Sequence, residues 1–278
     1  MKVKISSFFI DRMRKFPSLV HGTSPRFFET MEGNREPLFP SGSINGELFQ
    51  AHQRWFLSSL GIENEFVCRV RQVHGKRVYV LNDPKVSIDK VALEEADAIV
   101  THLPDLPISV LTADCVPLTI YDSVRHVAAV VHAGRKGTQN YIFSNVIEVL
   151  GREYGSRPQD LIVGMGPAIG GCCYEVDELC IAPFLERSFQ EGGWVKKTGN
   201  GKFLLDLLET NRREGCEAGI LPENIFPDGP CTSCENHRWY SYRGEGTTGR
   251  LMTLVMLRSL DQPGSPSAEV DPDISSMS

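Results

Sequence analysis

No stretch of the 278-residue chain is apolar for long enough to cross a bilayer, which excludes a membrane-spanning helix at the outset. Positive charge is also in short supply. Lys and Arg number 29 against 35 Asp and Glu, a formal net charge of −6, which argues against nucleic acid or an anionic membrane as a nonspecific partner. The N-terminal segment MKVKISSFFIDRMRKF has basic residues and a short apolar patch, but Asp11, Arg12 and Arg14 end that patch before it reaches the length of a secretory signal. A cytoplasmic protein is therefore expected. Its eight cysteines are then expected to be thiols, serving packing, metal or catalysis, rather than a disulfide framework.

Motifs of the common nucleotide-binding and hydrolase folds are missing as well. There is no Walker A sequence and no Gly-x-Ser-x-Gly elbow. The nearest approach to a dinucleotide loop, GMGPAIGG, is spaced Gly-x-Gly-x-x-x-Gly, and Pro167 removes a backbone donor that a phosphate would need. The pair Cys231 and Cys234 in GPCTSC matches half of a zinc-deaminase signature, yet no His-x-Glu precedes it, so a pair of buried thiols is the expectation there. No repeat of solenoid length is visible.

What is present is the composition of a globular protein with a large core, 41% hydrophobic and 23% charged. The first fifty residues are rich in Gly, Pro and Ser and read as loops with short strands. ELFQAHQRWFLSSLG, residues 47–61, reads as a helix, with Leu48, Trp55, Phe56 and Leu60 near helical spacing. EFVCRVRQVH, LPISVLTADC and HVAAVVHAG are short, apolar and β-branched, and read as strands. TQNYIFSNVIEVLGREYG reads as an amphipathic helix with Thr138 as N-cap. Further along, DLIVGMG and GRLMTLVMLRSL read as strands, and DELCIAPFLERSF and DLLETNRREGCEAGI as helices. Cys68, Cys180 and Cys216 sit among apolar neighbours and read as core residues. The tail beyond Leu260, DQPGSPSAEVDPDISSMS, lacks the apolar residues for packing and is expected to be disordered.

The three strand-like segments share a feature that periodicity does not demand. They end in Gln72-Val73-His74-Gly75, in Asp114-Cys115 and in His132-Ala133-Gly134, each presenting a metal-capable or acid–base group where an apolar run stops. Two imidazoles and a thiolate suit zinc, and three protein ligands leave the fourth position open, as a catalytic zinc requires. The same atoms also suit a metal-free site, with Cys115 as nucleophile, His74 or His132 as base and an acid such as Asp114 orienting it. Separations of 41 and 17 residues carry no local metal signature, so each residue alone is equally readable as a structural His or an inert Cys.

These residues lie within a longer resemblance. QVHG, ADAIVT, TADCVPL, VVHAG, GPAIGGCCYEV and SYRGEGTTGRLMTLV occur in the order seen in the YfiH-like family, over residues His21 to Leu257. Members of that family are labelled laccase-domain proteins or multicopper polyphenol oxidases, and several are described as purine nucleoside phosphorylases. The resemblance implies an α+β fold of layered mixed β-sheets flanked by helices, an αββα sandwich. That fold would form one catalytic domain over residues 1–258, with a tail at 259–278. It implies a zinc site on His74, Cys115 and His132. It also implies phosphorolysis of adenosine, inosine and methylthioadenosine, with some deamination of adenosine.

Arginines and backbone N–H groups suit the phosphate of such a reaction, and Arg54, Arg69, Arg135 and Arg243 are the candidates. Asp114 is a candidate to orient a ligand from behind. The chain departs from the family at His132-Ala133-Gly134-Arg135-Lys136-Gly137, where Arg135 replaces a tryptophan and Lys136 an arginine. Lysine offers a point charge where arginine offers a planar fork, so the departure bears on phosphate geometry. A second arginine is dropped after Ser241-Tyr242-Arg243, and the stretch Gly42-Ser43-Ile44-Asn45-Gly46 is compressed. Copper would also bind such ligands, but seven histidines are few for a multicopper oxidase. The expected function is a zinc-dependent purine nucleoside phosphorylase with accessory adenosine deaminase activity. A metal-free cysteine hydrolase, a copper-binding polyphenol oxidase and a non-catalytic binding module stand as alternatives.

Overall fold

A computed structural model describes residues 3–42, 46–187 and 193–260. The centre is a six-stranded mixed sheet built around a β-hairpin of β8 (Val116–Asp122) and β9 (Val127–Ala133). On β8 lies β10 (Leu161–Met165), followed by β14 (Ile225–Phe226); on β9 lies β6 (Ala98–Thr101), followed by β5 (Val78–Leu81). Every residue of β8 and β9 is buried, as expected for strands covered on both faces.

The two faces are divided by period-two alternation. Val116, Leu118 and Ile120 with Ala129 and Val131 face one way, into a core shared with two helices. These are α4 (Ile142–Tyr154) and α6 (Leu207–Glu217). Helix α4 buries six residues, Ile142, Phe143, Val146, Ile147, Val149 and Leu150, a helical stripe worth on the order of 10 kcal/mol before chain entropy is counted. It stops at Gly155 in the left-handed conformation, φ 69°. On the other face Tyr121, Ala128 and Val130 pack on a second sheet of β2 (Leu19–Thr23), β15 (Leu251–Leu257) and β7 (Ile108–Thr112). Met252, Leu254 and Met256 alternate to the far side of that sheet and meet α1 (Glu47–Ser59).

The order helix, sheet, sheet, helix is the αββα sandwich expected. Two further three-stranded sheets lie outside these layers: β1 (Val3–Lys4), β3 (Phe27–Thr30) and β4 (Arg35–Pro37), and β11 (Glu175–Asp177), β12 (Val195–Gly199) and β13 (Lys202–Leu205). Short helices α2 (Ile88–Leu93), α3 (Arg135–Gln139), α5 (Glu178–Leu185) and α7 (Tyr242–Glu245) complete the chain. Among the described residues no helix is long and apolar enough to cross a membrane.

Several local expectations are corrected. EFVCRVRQVH forms no strand, only isolated bridges at Cys68 and Arg71. Beyond them the Gln72 side-chain amide takes the place of a backbone neighbour, donating to Leu111 O (2.8 Å) and accepting from Leu111 N (2.8 Å). Thr138 does not cap a helix: α3 intervenes, and α4 starts after Tyr141, which adopts φ 61°. Leu48 is 50% exposed, and the buried face of α1 is Phe49, His52, Gln53, Phe56 and Leu57. Pro117 sits within β8 opposite His132. Its carbonyl accepts from Gly166 N (3.0 Å) past the end of β10, so its missing N–H falls on that side and takes nothing from the ladder with β9. Cys68 is buried, and Cys180 and Cys216 pack half-buried against the core, as expected. The tail beyond Leu260 and residues Ser43–Asn45 lie outside the described residues.

Candidate metal centre

Strand register assembles the site. Val116 pairs with Ala133, so Cys115, one residue before, lies opposite Gly134, one residue after. Ala98 pairs with Val131, which sets Asp97 beside His132, and His132 N donates to Asp97 O (2.7 Å). His74 enters from the loop before β5, the strand beyond β6. The ligand atoms of His74, Cys115 and His132 all lie within 4.8 Å of one another, and the two imidazole rings stand edge to face at 4.6 Å. The three residues singled out from the sequence are thus brought together, graded from exposed His74 through half-buried Cys115 to buried His132.

The packing leaves no room for a side chain at Gly134. A Cβ there would lie 2.8 Å from Cys115 Sγ and 3.2 Å from the His74 ring. Two of the surrounding residues hold backbone conformations that L-residues rarely adopt, His74 at φ 59° and Asp114 at φ 87°. Both are held by hydrogen bonds from elsewhere. Asp97, fully buried, accepts from the backbone N–H groups of His74 (2.9 Å), Gly75 (2.6 Å) and Val73 (3.3 Å). The same carboxylate meets His132 Nδ1 at 2.8 Å, which turns Nε2 of that ring to the cluster.

Asp97 is the site residue that sequence reasoning missed. It lies in the ADAIVT segment already noted, and an acid entering an all-buried apolar strand is the available signal. The expected orienting acid, Asp114, instead turns its carboxylate away: Thr232 Oγ1 donates to Oδ1 (2.6 Å) and Arg243 N to Oδ2 (2.6 Å). With Ile169 N donating to the Asp114 carbonyl (2.9 Å), this residue ties the Cys115 turn to two other loops.

The electrostatics favour a charged pair. Burial alone would raise the Cys115 thiol, but the charge of His132 and hydrogen bonds from both histidines outweigh it and bring the pKa to about 6. Burial likewise disfavours the His132 cation, yet the Cys115 thiolate and Asp97 carboxylate raise it to about 9. Asp97 is held below its usual range despite burial, by His132 and the N–H groups of Gly75 and His74.

The four arginines divide. Arg135 follows Gly134 directly and reaches Gln139 Oε1 (3.3 Å). Arg243 donates to Glu175 O (2.6 Å) and stacks at 4.9 Å on Tyr174, whose phenol also feels Arg135 and Cys115. Arg69 is packed at 4.5 Å over Phe49 of α1, and burial lowers its pKa to about 10. Arg54 is exposed on α1, off that helix's buried face. Helix α3, which carries Arg135, is anchored underneath by the buried Arg187–Glu214 ion pair (2.9 Å) and by Arg187 donating to Thr138 O.

The donor set fits a metal. Two nitrogens and one sulfur converge within reach of one ion, one imidazole is oriented by a carboxylate, and Gly134 leaves the approach to Cys115 clear. The other five histidines are placed elsewhere: His21 accepts from Ile10 N, His52 from Phe39 N, His126 meets Tyr121, His102 meets Asn82, and among the described residues His237 joins no metal-capable group. A cavity of about 470 Å³ between α4 and α6 contains none of the trio.

Comparison with known proteins agrees with this architecture. Residues 46–258 match the family model described as multi-copper polyphenol oxidoreductase laccase. The chain is 34% identical over 202 residues to an adenosine deaminase of an unknown prokaryotic organism, covering 70% of this chain and 77% of the relative. It is 35% identical over 198 residues to a purine nucleoside phosphorylase of Corynebacterium glutamicum, covering 71% and 77%. It is 33% identical to the purine nucleoside phosphorylase YlmD of Bacillus subtilis, where the match spans 60% of each chain. Among solved structures, the hypothetical protein YfiH of Bacillus licheniformis superposes with a TM-score of 0.80 at 28% identity, covering 91% of this chain and 97% of that one. A match over most of the described chain, on the same layered fold, carries more weight than any single motif, and the chain belongs to the YfiH-like, multi-copper polyphenol oxidoreductase laccase family.

Proposed function

We propose that this chain is a zinc-dependent purine nucleoside phosphorylase, acting in the cytoplasm, with accessory adenosine deaminase activity. The observation that carries the reading is the convergence of His74, Cys115 and His132 within 4.8 Å, with Arg135 and Arg243 beside the same cluster. The names of the relatives supply the substrate class, purine nucleosides with phosphate or water as co-substrate.

In this reading His74, Cys115 and His132 hold the ion. A bound zinc would supply Lewis acidity to an atom of the purine or to water. Asp97 keeps the proton of His132 on Nδ1, so that Nε2 presents its lone pair. Arg135 and Arg243 supply positive charge for the phosphate, whose oxygen forms the new bond to C1′ as the bond from C1′ to the purine nitrogen breaks. The electron pair of that bond leaves with the base, and a proton taken up on the purine completes the product. Arg54 and Arg69 are not needed for this step.

The test is incubation of the protein with inosine and phosphate. Equimolar hypoxanthine and ribose 1-phosphate are expected, and their absence from protein with its metal in place overturns the reading. A polyphenol oxidase with several copper ions is not supported, because five of the seven histidines are placed away from the cluster. One observation favours a second reading, a metal-free cysteine hydrolase. Without metal, Cys115 and His132 form a thiolate–imidazolium pair, with the thiol pKa at about 6. Activity that survives complete metal removal would select it.

A further inference from the structure

The glycine-rich loop after β10 and the loop before α7 bring four cysteines together. Cys172 and Cys173 come from the first, Cys231 and Cys234 from the second, and all four sulfurs lie within 4.8 Å of one another. The expectation of a buried thiol pair at Cys231 and Cys234 is thereby corrected, since Cys231 is half-buried, Cys234 is exposed, and both belong to a larger group.

We propose that these four cysteines are a second metal site, a closed tetrathiolate holding one zinc ion. Four thiolates around zinc at about 2.3 Å place neighbouring sulfurs about 3.8 Å apart. Here Cys172 and Cys234 approach to 3.5 Å and Cys173 and Cys234 to 3.3 Å, a few tenths of an ångström from that value. Cys234 lies almost equally near Cys172 and Cys173, so its sulfur is not set out for one S–S partner. One ion takes all four. Soft sulfur donors in a tetrahedral set select zinc from the common divalent ions, and a set with no open position is structural rather than catalytic.

The backbone around the sulfurs has the form of a ligand cradle. Ala168 and Cys231 form a parallel bridge, in which Ala168 N donates to Pro230 O (3.2 Å) and Thr232 N to Ala168 O (2.9 Å). Gly170 N donates to Cys231 Sγ at 3.2 Å, an outer hydrogen bond of the kind that orients a metal ligand. A Cβ at Gly170 would lie 3.2 Å from Cys172 Sγ and 3.3 Å from Cys231 Cβ, so the bare backbone lets the two loops close. The exposure of Cys172 and Cys234 gives an ion its way in. Thr232, inside the Cys231–Cys234 loop, bonds Asp114 next to Cys115, so the staple also braces one wall of the first site.

The test is metal analysis of protein purified anaerobically with reductant, comparing the wild-type chain, Cys115→Ser and the double variant Cys231→Ser/Cys234→Ser. One zinc is expected to remain in Cys115→Ser, where the first site is crippled, and one fewer zinc than wild type in the double variant. Cobalt substituted into Cys115→Ser is expected to show the sulfur-to-cobalt charge-transfer absorption of a thiolate site. The single variant Cys172→Ser, with folding checked by circular dichroism, covers the event that the double variant does not fold, and it should weaken zinc retention against a chelator. Metal-free Cys115→Ser, unchanged metal in the double variant, iron in place of zinc, or a disulfide mapped among the four cysteines would each overturn the proposal. None of these outcomes depends on nucleoside turnover.

Discussion

The two sulfur-bearing clusters stand on either side of Asp114 and differ in nearly every respect that matters for chemistry. His74, Cys115 and His132 offer three donors of two kinds, backed by a buried carboxylate and flanked by Arg135 and Arg243. Cys172, Cys173, Cys231 and Cys234 offer four like donors with backbone packed behind them and, among the described residues, no acid hydrogen-bonded to a ligand. A mixed set of three leaves an open position and invites a substrate; a set of four sulfurs closes around its ion and fastens two loops. One scaffold therefore carries a three-donor and a four-donor cluster linked through the Thr232–Asp114 hydrogen bond.

The comparison breaks most severely if the support beneath the first cluster is removed. Glu214 is buried against Arg187, and Arg187 anchors the helix that carries Arg135. Glu214→Ala removes a buried carboxylate that pairs with the Arg187 guanidinium and is expected to cost about 3–5 kcal/mol in a denaturant titration. The packing glycines separate the clusters directly. Gly134→Ala drives a Cβ to 2.8 Å from Cys115 Sγ, so this variant should lose metal from the first cluster. Gly170→Ala meets Cys172 Sγ only at 3.2 Å and should reduce occupancy of the second cluster by less. Metal counts on the two variants read both effects.

Asp97→Asn sharpens the comparison more gently. The amide keeps the shape of the carboxylate but carries no charge to hold the His132 proton, and only the first cluster depends on it. Zinc affinity there should fall about 10- to 100-fold by competition with a chromogenic chelator, with the tetrathiolate site unaffected. The smallest effect comes from a histidine outside both clusters. His21 is buried, and burial takes its pKa from 6.5 to about 4, with Ile10 N donating to its Nε2. Because the folded value is depressed, the unfolded chain binds the extra proton: stability is complete above pH 6.5 and is lost as pH falls toward 4. Between pH 6.5 and 5.5 the loss should be about 1 kcal/mol, and His21→Gln should flatten that part of the profile.

Much of the sandwich was legible because both central strands are covered on both faces. A run such as residues 127–131 must then be apolar throughout, and the helices between such runs show a stripe instead. The segment that carries His74 departed from its strand reading for a definite reason. It is as β-branched as a strand, but it reaches the backbone of Leu111 through the side chain of Gln72, which no periodicity reveals. Cys115 and His132 stood out by lying next to strand ends that turn out to be register neighbours across one hairpin. Asp97 did not, because its connection to a ring 35 residues away passes through the pairing of β6 with β9. The cysteine quartet was hidden in the same way. Cys231 and Cys234 announce half a site, and Cys172 and Cys173 complete it only once two loops 61–62 residues apart are folded together.

The central claim is that the first cluster works through a metal, and zinc reconstitution of chelator-stripped protein tests it most directly. Inosine phosphorolysis should rise in proportion to zinc bound at His74, Cys115 and His132. It should fall by more than about a thousandfold in Cys115→Ala, the scale of a lost Lewis acid worth several kcal/mol. Full activity in zinc-free protein would contradict the account.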